Sequence, residues 1–366
     1  MPRRELFHVR CQHVREQPTR STMRIEIITT SNEALKETGF GTLKACNNVL
    51  DSIRRLGYSA RLNVCETAGD LSDIVKRKPD LVILAVKYIA VEHGDDIWLS
   101  DYCKNNGINF SGSSRKVLKF DSDKVLAKSH LRKKGIRTAD YFTAIPGQYT
   151  CESELPIAFP LFLKPLDAAN GNGIDDLSFV TSFAEYESKL LSLYNLFKLP
   201  VLAEEYLDGR EYTVAVINTL SSGLVVSAVE VVPPQSANGL QILGEKVKRE
   251  DSEELKNAGE HGITDQVRKL AVDAFFYLGA RDFGRVDVKV STSGQCYFME
   301  VNLVPGMTSG SSYFPKACEI EGGLSYDKMI GLMLEQGLRR VSMVSSPGTH
   351  GSLAETVAAV PEPLAV

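Results

Sequence analysis

Apolar positions along the chain repeat with two periods, and the alternation between them sets out the first part of the molecule. Residues 24–29, with Ile25, Ile27 and Ile28, read as a buried strand. Residues 43–56 carry the 3.6-residue spacing of an amphipathic helix that Gly57 ends, and 81–86, following Pro79, form a second apolar strand. Strands alternating with helices predict an α/β domain built on a parallel sheet. Residues 121–135 again show helical spacing through Val125, Leu126 and Leu131, with Asp121 or Ser122 as N-cap and Gly135 as the stop. A domain boundary near Ser122 follows.

Beyond it the pattern is richer in strands. Residues 161–164 are a short strand that runs into Pro165 and a loop, 167–176, containing Gly171, Asn172 and Gly173, and 177–180 are the return strand of a hairpin with a mobile tip. Residues 201–206 and 211–218 are strands around an Asp208-Gly209 turn. Residues 264–278 place Val267, Leu270, Ala271, Ala274, Phe275 and Leu278 on one helix face. Trp98, within Ile97-Trp98-Leu99, reads as core packing. The segment 341–366 is rich in Ser, Pro, Ala and Val and predicts a disordered tail.

The most informative stretch runs from Phe283 to Thr308. It alternates through Val286, Val288 and Val290, breaks at Ser293-Gly294, and resumes through Tyr297, Met299 and Val301, which predicts a β-hairpin. With Ser293 and Gly294 as the turn, Asp287 stands opposite Glu300 and Arg285 opposite Asn302, all on one face. The other face is apolar and suits a helix such as 264–278. Two carboxylates side by side repel unless a cation lies between them. Two carboxylates and an amide are hard oxygen donors suited to Mg²⁺ with nucleotide phosphates completing its shell. A solvated hairpin end in which Arg285 pairs with the acids satisfies the same register.

Composition narrows the field without naming a function. The chain has 366 residues, 43% hydrophobic and 24% charged, with 28 Gly and 15 Pro, which is ordinary for a globular protein of two or three domains. A formal charge of −4 argues against general nucleic-acid binding. No apolar run is long enough to span a membrane. Seven scattered cysteines without a Cys-x-x-Cys pair fit neither a disulfide framework nor a zinc site and point to a reducing, cytoplasmic setting. Residues 1–22 contain Arg3, Arg4, Arg10, Arg15 and Arg20 beside Glu5 and Glu16, and read as a disordered leader or an upstream start ahead of Met23, with an organelle-targeting peptide as the other reading.

Lysines sharpen the chemistry. Lys164 ends an otherwise apolar strand, so its charge has to find an anion or a carboxylate. The glycines that follow allow backbone N–H groups to approach a phosphate closely. Gly171-x-Gly173 has no glycine at Asp176, and no P-loop pattern occurs, so dinucleotide and Walker-type readings fail.

The ordered set Asp123-Lys124, Phe162-Leu163-Lys164-Pro165, the Gly-rich loop, the run from Val201 to Val214 with Glu204-Glu205-Tyr206-Leu207 and Glu211, Glu245-Lys246, Gly284-Arg285-Val286-Asp287 and Glu300-Val301-Asn302 followed by Pro305-Gly306-Met307-Thr308 resembles the D-alanine:D-alanine ligase branch of the ATP-grasp ligases. The resemblance covers roughly residues 23–340. It implies an N-terminal parallel α/β domain (23–122) followed by a two-domain ATP-grasp fold, α+β in character, with a central subdomain (123–207) and a C-terminal subdomain (208–340) that carries the metal site. Carried over by motif, Lys124 and Lys164 hold the α and β phosphates, and Glu204, Glu205, Tyr206, Leu207 and Glu211 frame adenine and ribose. Lys246 reaches the terminal phosphate, and Asp287, Glu300 and Asn302 hold Mg²⁺ or Mn²⁺. Arg285 and the Gly306 backbone stabilise developing negative charge, Ser311 or Ser312 binds a substrate carboxylate, and Asn170 and His93 line the amino-acid site. Family members are often dimers, so a homodimer is expected.

The implied reaction is ADP-forming: a carboxylate and an amine, both small molecules, are joined through an acyl phosphate. Family members carry a serine in the Gly-rich loop, a tyrosine after the phosphate lysine and a glutamate after the first strand, where this chain places Asn170, Val247 and the region from Glu37 to Phe40. These departures predict a ligase for an amino-acid-like substrate other than D-alanine, as in specialised metabolite synthesis. The alternatives are a cell-wall D-alanine:D-alanine ligase and a non-catalytic ATP-binding protein on the same fold.

Overall fold

In the computed structural model, residues 20–31, 39–91, 94–167, 171–236, 239–259 and 262–344 are described. The chain begins with β1 (Arg24–Thr29), α1 (Leu43–Arg55), β2 (Ser59–Val64), α2 (Ala68–Arg77) and β3 (Leu81–Leu84). These strands form a parallel sheet in the order β2-β1-β3. Ile25 and Ile27 project to one side, where α1 covers them with Cys46, Val49 and Ile53, while Ile28 projects to the other, against Leu71 and Ile74 of α2. This is the two-sided burial that makes parallel strands continuously apolar. The small antiparallel pair β4 (Tyr88–Ile89) and β5 (Ile97–Trp98) and α3 (Leu99–Asn105) complete this part. Trp98 packs at the core margin as expected, with the Arg115 guanidinium over its ring at 5.1 Å.

The helix expected over 121–135 is two helices. α4 (Arg115–Ser122) ends where α5 (Lys124–Arg132) begins, and the break is Asp123, whose extended backbone lets its side chain accept the Leu126 N–H at 2.8 Å. Asp121 and Ser122 therefore close one helix rather than capping the next. β6 (Tyr141–Ala144), β7 (Leu161–Pro165), β8 (Phe179–Val180), α6 (Phe183–Phe197) and β9 (Val201–Glu205) follow, in a sheet ordered β6-β9-β7-β8. Its core is its own: Leu161, Leu163, Tyr186, Leu190, Leu193 and Val201 form a cluster separate from the main one.

The last part is an antiparallel sheet ordered β12-β11-β10-β13-β14, made from β10 (Arg210–Asn218), β11 (Leu224–Val232), β12 (Glu254–Asn257), β13 (Phe283–Val290) and β14 (Cys296–Asn302). Between them lie α7 (Glu245–Glu250) and α8 (Ile263–Tyr277), and α9 (Tyr313–Ile320) and α10 (Tyr326–Val344) close the chain. The apolar face of α8 packs as its spacing predicts, with Val267, Ala271, Ala274 and Phe275 fully buried. α10 continues past Arg340 to Val344, so the expected tail is helical at its start, and 345–366 lie outside the described residues, as does most of the leader. Among the described residues no helix is long and apolar enough to cross a membrane.

The first and last parts share one core, in which Ile25, Val49 and Ile83 join Tyr212, Phe283 and Met329. A buried ion pair ties them. Asp282, 1% exposed and at φ 69°, accepts the Gly112 N–H at 2.8 Å and two bonds from Arg340 at 2.8 and 2.6 Å. Removing this acid leaves the Arg340 guanidinium without a counter-charge and the Gly112 amide without its acceptor, and puts alanine at a left-handed φ. Asp282→Ala should lower stability by about 3 kcal/mol, read as the shift in urea midpoint at an unchanged slope.

Candidate functional site

The predicted pairing of β13 with β14 places the acids. Arg285 stands opposite Asn302 and Asp287 opposite Glu300, as the alternation requires. The route to that register differs from the expected one. The loop encloses three residues, 292–294, with Ser291 N–H donating to the Gln295 carbonyl at 2.9 Å and Gly294 at φ 80°, so the turn is one residue longer than Ser293-Gly294 alone. A bulge between Asp287 and Val288 takes up the extra residue. Val288 consequently faces Phe298, and Phe298 and Cys296 are buried where Met299 and Tyr297 were expected. Met299 instead joins Glu300 on a cavity wall.

Each carboxylate on this face is met by a cation. Arg285 binds Asp287 through two bonds of 3.0 and 2.9 Å, and Thr213 donates to the same carboxylate at 2.6 Å. Lys124, from the first turn of α5, lies 3.6 Å from Glu300. Burial alone would raise the Glu300 carboxyl, but Lys124, Lys248, Lys164 and Arg285 pull it down to about 2. One glutamate thus feels four cations carried by four different elements.

Lys164 finds its carboxylate in Glu204 of the adjacent strand, 2.7 Å away. Lys128, one turn beyond Lys124, lies 2.8 Å from the other oxygen of Glu204. Burial opposes ionisation of Glu204, and the two lysines overcome it, bringing the carboxyl to about 2. The Glu204 side chain is therefore committed to lysines rather than to a ribose, and Glu205 is committed as well, accepting the Asp140 N–H at 2.9 Å.

Two adjoining cavities converge here. Lys124, Lys164, Glu204, Glu205, Tyr206, Leu207, Glu211, Asp287 and Glu300 all line the first, together with Phe162, Ile174, Ile242 and Met299. The second, of about 470 Å³, is lined by Arg285, Asn302, Gly306, Ser311 and Ser312, with Phe40, Lys87, Asp121, Glu253 and Tyr313. Lys124, Lys248 and Glu300 belong to both. Arg285 also lies under the ring of Tyr313 at 5.4 Å, and the Tyr313 hydroxyl donates to Glu253. Ser312 Oγ accepts the Thr308 N–H at 2.9 Å, whereas Ser311 has only a backbone bond among those described.

Lys246 is the displaced assignment. It is exposed and lines neither cavity, and Lys248, two residues further along α7, lines both. Two residues turn about 200° around a helix, so only one of these lysines can face the acids. The choice is fixed by Glu245, whose carboxylate takes the Gly173 N–H at 3.1 Å and whose own N–H donates to Ile174 O at 3.0 Å. A side chain at Gly244 would come within 2.6 Å of the Ile174 carbonyl, which keeps this approach open only to glycine. The residue after the cavity lysine is then Arg249 rather than Val247. Asn170 and His93 lie outside the described residues. Lys128, Lys248, Met299, Glu253 and Tyr313 were not anticipated, although the four-residue spacing from Lys124 puts Lys128 on the same helix face.

Residues 131–335 match the family described as D-ala D-ala ligase C-terminus. The D-alanine--D-alanine ligase of Aquifex aeolicus is 24% identical over 315 residues, which is 85% of this chain and 100% of that protein. The enzyme of the same name from Xanthomonas axonopodis pv. citri is 28% identical over 301 residues, covering 81% of this chain and 90% of its own. The crystal structure of D-alanine--D-alanine ligase from Bacillus anthracis complexed with ATP superposes with a TM-score of 0.68 at 23% identity, over 88% of this chain and 99% of that one. That likeness establishes the ATP-grasp fold.

The depressed carboxyls carry a pH signature. Glu204 and Glu300, at about 2 against an ordinary 4.5, contribute stability that is complete above 4.5 and lost as pH falls toward 2. Glu204→Gln should flatten the stability curve between about pH 5 and pH 2, followed by urea midpoints across that range. An unchanged slope would assign the acid sensitivity to other groups.

Proposed function

The chain belongs to the D-ala D-ala ligase C-terminus family of ADP-forming carbon–nitrogen ligases, and on that premise we propose that it joins two D-alanine molecules at the expense of ATP. The observation that carries this reading is the convergence of three lysines, one arginine and two facing carboxylates where the two cavities meet. The relatives bear the D-alanine name over more than four fifths of this chain. That favours D-alanine over the different amino-acid substrate suggested by the sequence departures. The family tyrosine is absent on either assignment, since Val247 follows Lys246 and Arg249 follows Lys248.

In this reading the first cavity takes the nucleotide, with Lys124 and Lys164 on the α and β phosphates and Lys248 on the terminal one. Phe162, Ile174, Ile242 and Met299 supply an apolar slot for adenine, in a cavity that residues 204–207 also line. A substrate carboxylate oxygen attacks the γ-phosphorus and the bond to the β-bridging oxygen breaks, releasing ADP. The amine of the second substrate then attacks the acyl carbon, phosphate leaves and the amine loses its proton. No protein nucleophile is required, so the residues act by position and charge. Arg285 and the Gly306 N–H face the oxyanion of the second step, and Ser311, whose hydroxyl is not taken up as that of Ser312 is, receives the substrate carboxylate.

The donor set also fits a divalent cation. Among the described residues no group of three or more His, Cys, Asp or Glu side chains is placed to hold a metal. Asp287 and Glu300 face each other across the β13–β14 pair and Asn302 stands two residues on from Glu300 in the same strand, so these three would be the protein donors, with phosphate oxygens for the rest. Bound there, Mg²⁺ or Mn²⁺ would neutralise phosphate charge. The six described cysteines are all free.

Incubation with ATP and D-alanine should release ADP and yield D-alanyl-D-alanine by mass, whereas turnover only with other amino acids would reassign the substrate. No ADP release with any amino acid would leave an ATP-binding protein. Lys248→Ala should reduce ADP release at least ~100-fold with the thermal transition unchanged, and Lys246→Ala should remain within about twofold of the parent chain. The reverse result would restore Lys246 to the site.

A further inference from the structure

The buried Lys128–Glu204–Lys164 cluster holds one more positive charge than it needs. We propose that Lys128 is a positioning residue that keeps Lys164 available to a nucleotide phosphate, by holding the charge of Glu204 when Lys164 turns to its ligand. The inference rests on the nucleotide reading of the first cavity and adds a role for a side chain that touches neither cavity.

The geometry is asymmetric. Glu204 gives one oxygen to each lysine, at 2.8 Å for Lys128 and 2.7 Å for Lys164. Lys164 lines the cavity, whereas Lys128 is 0% exposed and approaches from behind, off α5. The Lys128 contact is at ion-pair distance without hydrogen-bond alignment, and among the described residues no other partner meets that ammonium. A buried cation held this way is costly unless something depends on it.

What depends on it is the freedom of Lys164. In a pair consisting of Glu204 and Lys164 alone, any movement of the lysine toward a phosphate would strand a carboxylate that is 2% exposed. Lys164 would then stay with Glu204 and bind phosphate weakly. With Lys128 in place, Glu204 remains paired whether Lys164 faces it or the ligand, and the surplus charge is expressed on the cavity side. The two lysines differ accordingly: burial drives the Lys128 ammonium below its ordinary range, while Lys164, buried but on the cavity wall, is raised by Glu204, Glu300 and Glu211.

Because Lys128 acts only on the phosphate end, adenosine separates its role from a general loss of structure. Calorimetric titration of the full chain with ADP plus Mg²⁺, and separately with adenosine, should show Lys128→Met weakening ADP at least tenfold and adenosine less than twofold. Adding Glu204→Gln, which removes the competing carboxylate, should return ADP affinity to within threefold of the parent chain. An unchanged ADP affinity in Lys128→Met, a parallel fall for adenosine, or no recovery in the double variant overturns the proposal. Where Lys128→Met does not fold, the double variant alone decides: ADP affinity within threefold supports action through Glu204, and a tenfold loss overturns it. A parent chain that binds neither ADP nor ATP removes the nucleotide reading and this inference together, whereas tight binding indifferent to Lys128→Met removes this inference alone.

Discussion

Two carboxylates stand opposite each other on neighbouring strands, Asp287 on β13 and Glu300 on β14. Like charges across a ladder oppose strand pairing, so this hairpin can persist only if cations come to it. They come from everywhere: Arg285 from the same strand, Lys124 from α5, Lys248 from α7 and Lys164 from β7. Since β7 packs in a core separate from the one that α5, β13 and β14 share, the site exists only in the assembled fold. The same repulsion that makes the hairpin dependent on its surroundings also makes the place ready for a polyanion with a divalent cation.

Net charge is a poor guide to such a place. The chain carries −4 overall, yet Lys124, Lys248, Lys164 and Arg285 all act on the one carboxylate of Glu300. At these separations and in partly dehydrated surroundings the local arrangement outweighs the sum over the surface. The cations are also not idle without ligand. Arg285 holds Asp287 by two hydrogen bonds, and Lys164 holds Glu204. On the proposed reading, nucleotide binding is an exchange of partners rather than the filling of an empty positive pocket.

How much of this was legible in the sequence depended on whether the signal was local. The pairing of Asp287 with Glu300 was readable because strict alternation fixes which residues share a face. Its details were not: the hairpin loop is one residue longer than expected, and the bulge that compensates turns Met299 toward the cavity and Phe298 into the core. The lysine of α7 was missed because a six-residue helix shows too little periodicity to reveal which side faces the cavities, and the deciding contact, Glu245 to Gly173, spans 72 residues. Lys128 shared a helix face with Lys124, but nothing local indicated that Glu204 would meet it. The cap at Asp123 is a third case, in which a helical pattern continuous in sequence is divided by one backbone conformation.

The two halves of the site differ in what builds them, and this bears on what each can specify. The first cavity is built on strand registers, where β7, β9 and β13 fix Lys164, Glu204 and Asp287 through backbone pairing that tolerates many sequences. The wall of the second cavity around Gly306 and Ser311 is made by loops that hold one another. Phe40 donates to Ala85 O at 2.8 Å and accepts from Met307 N–H at 2.9 Å, and Tyr326 donates to Met307 O at 2.6 Å. Segments some 270 residues apart therefore set the wall around Gly306 and Ser311, and a change in any one of them moves it. Reaction class is encoded where backbone geometry dominates, and substrate choice where side chains and loop contacts do. That division explains why motifs in the strands identify the chemistry at 24% identity to the Aquifex aeolicus ligase, while the amino acid accepted is a question for the loops.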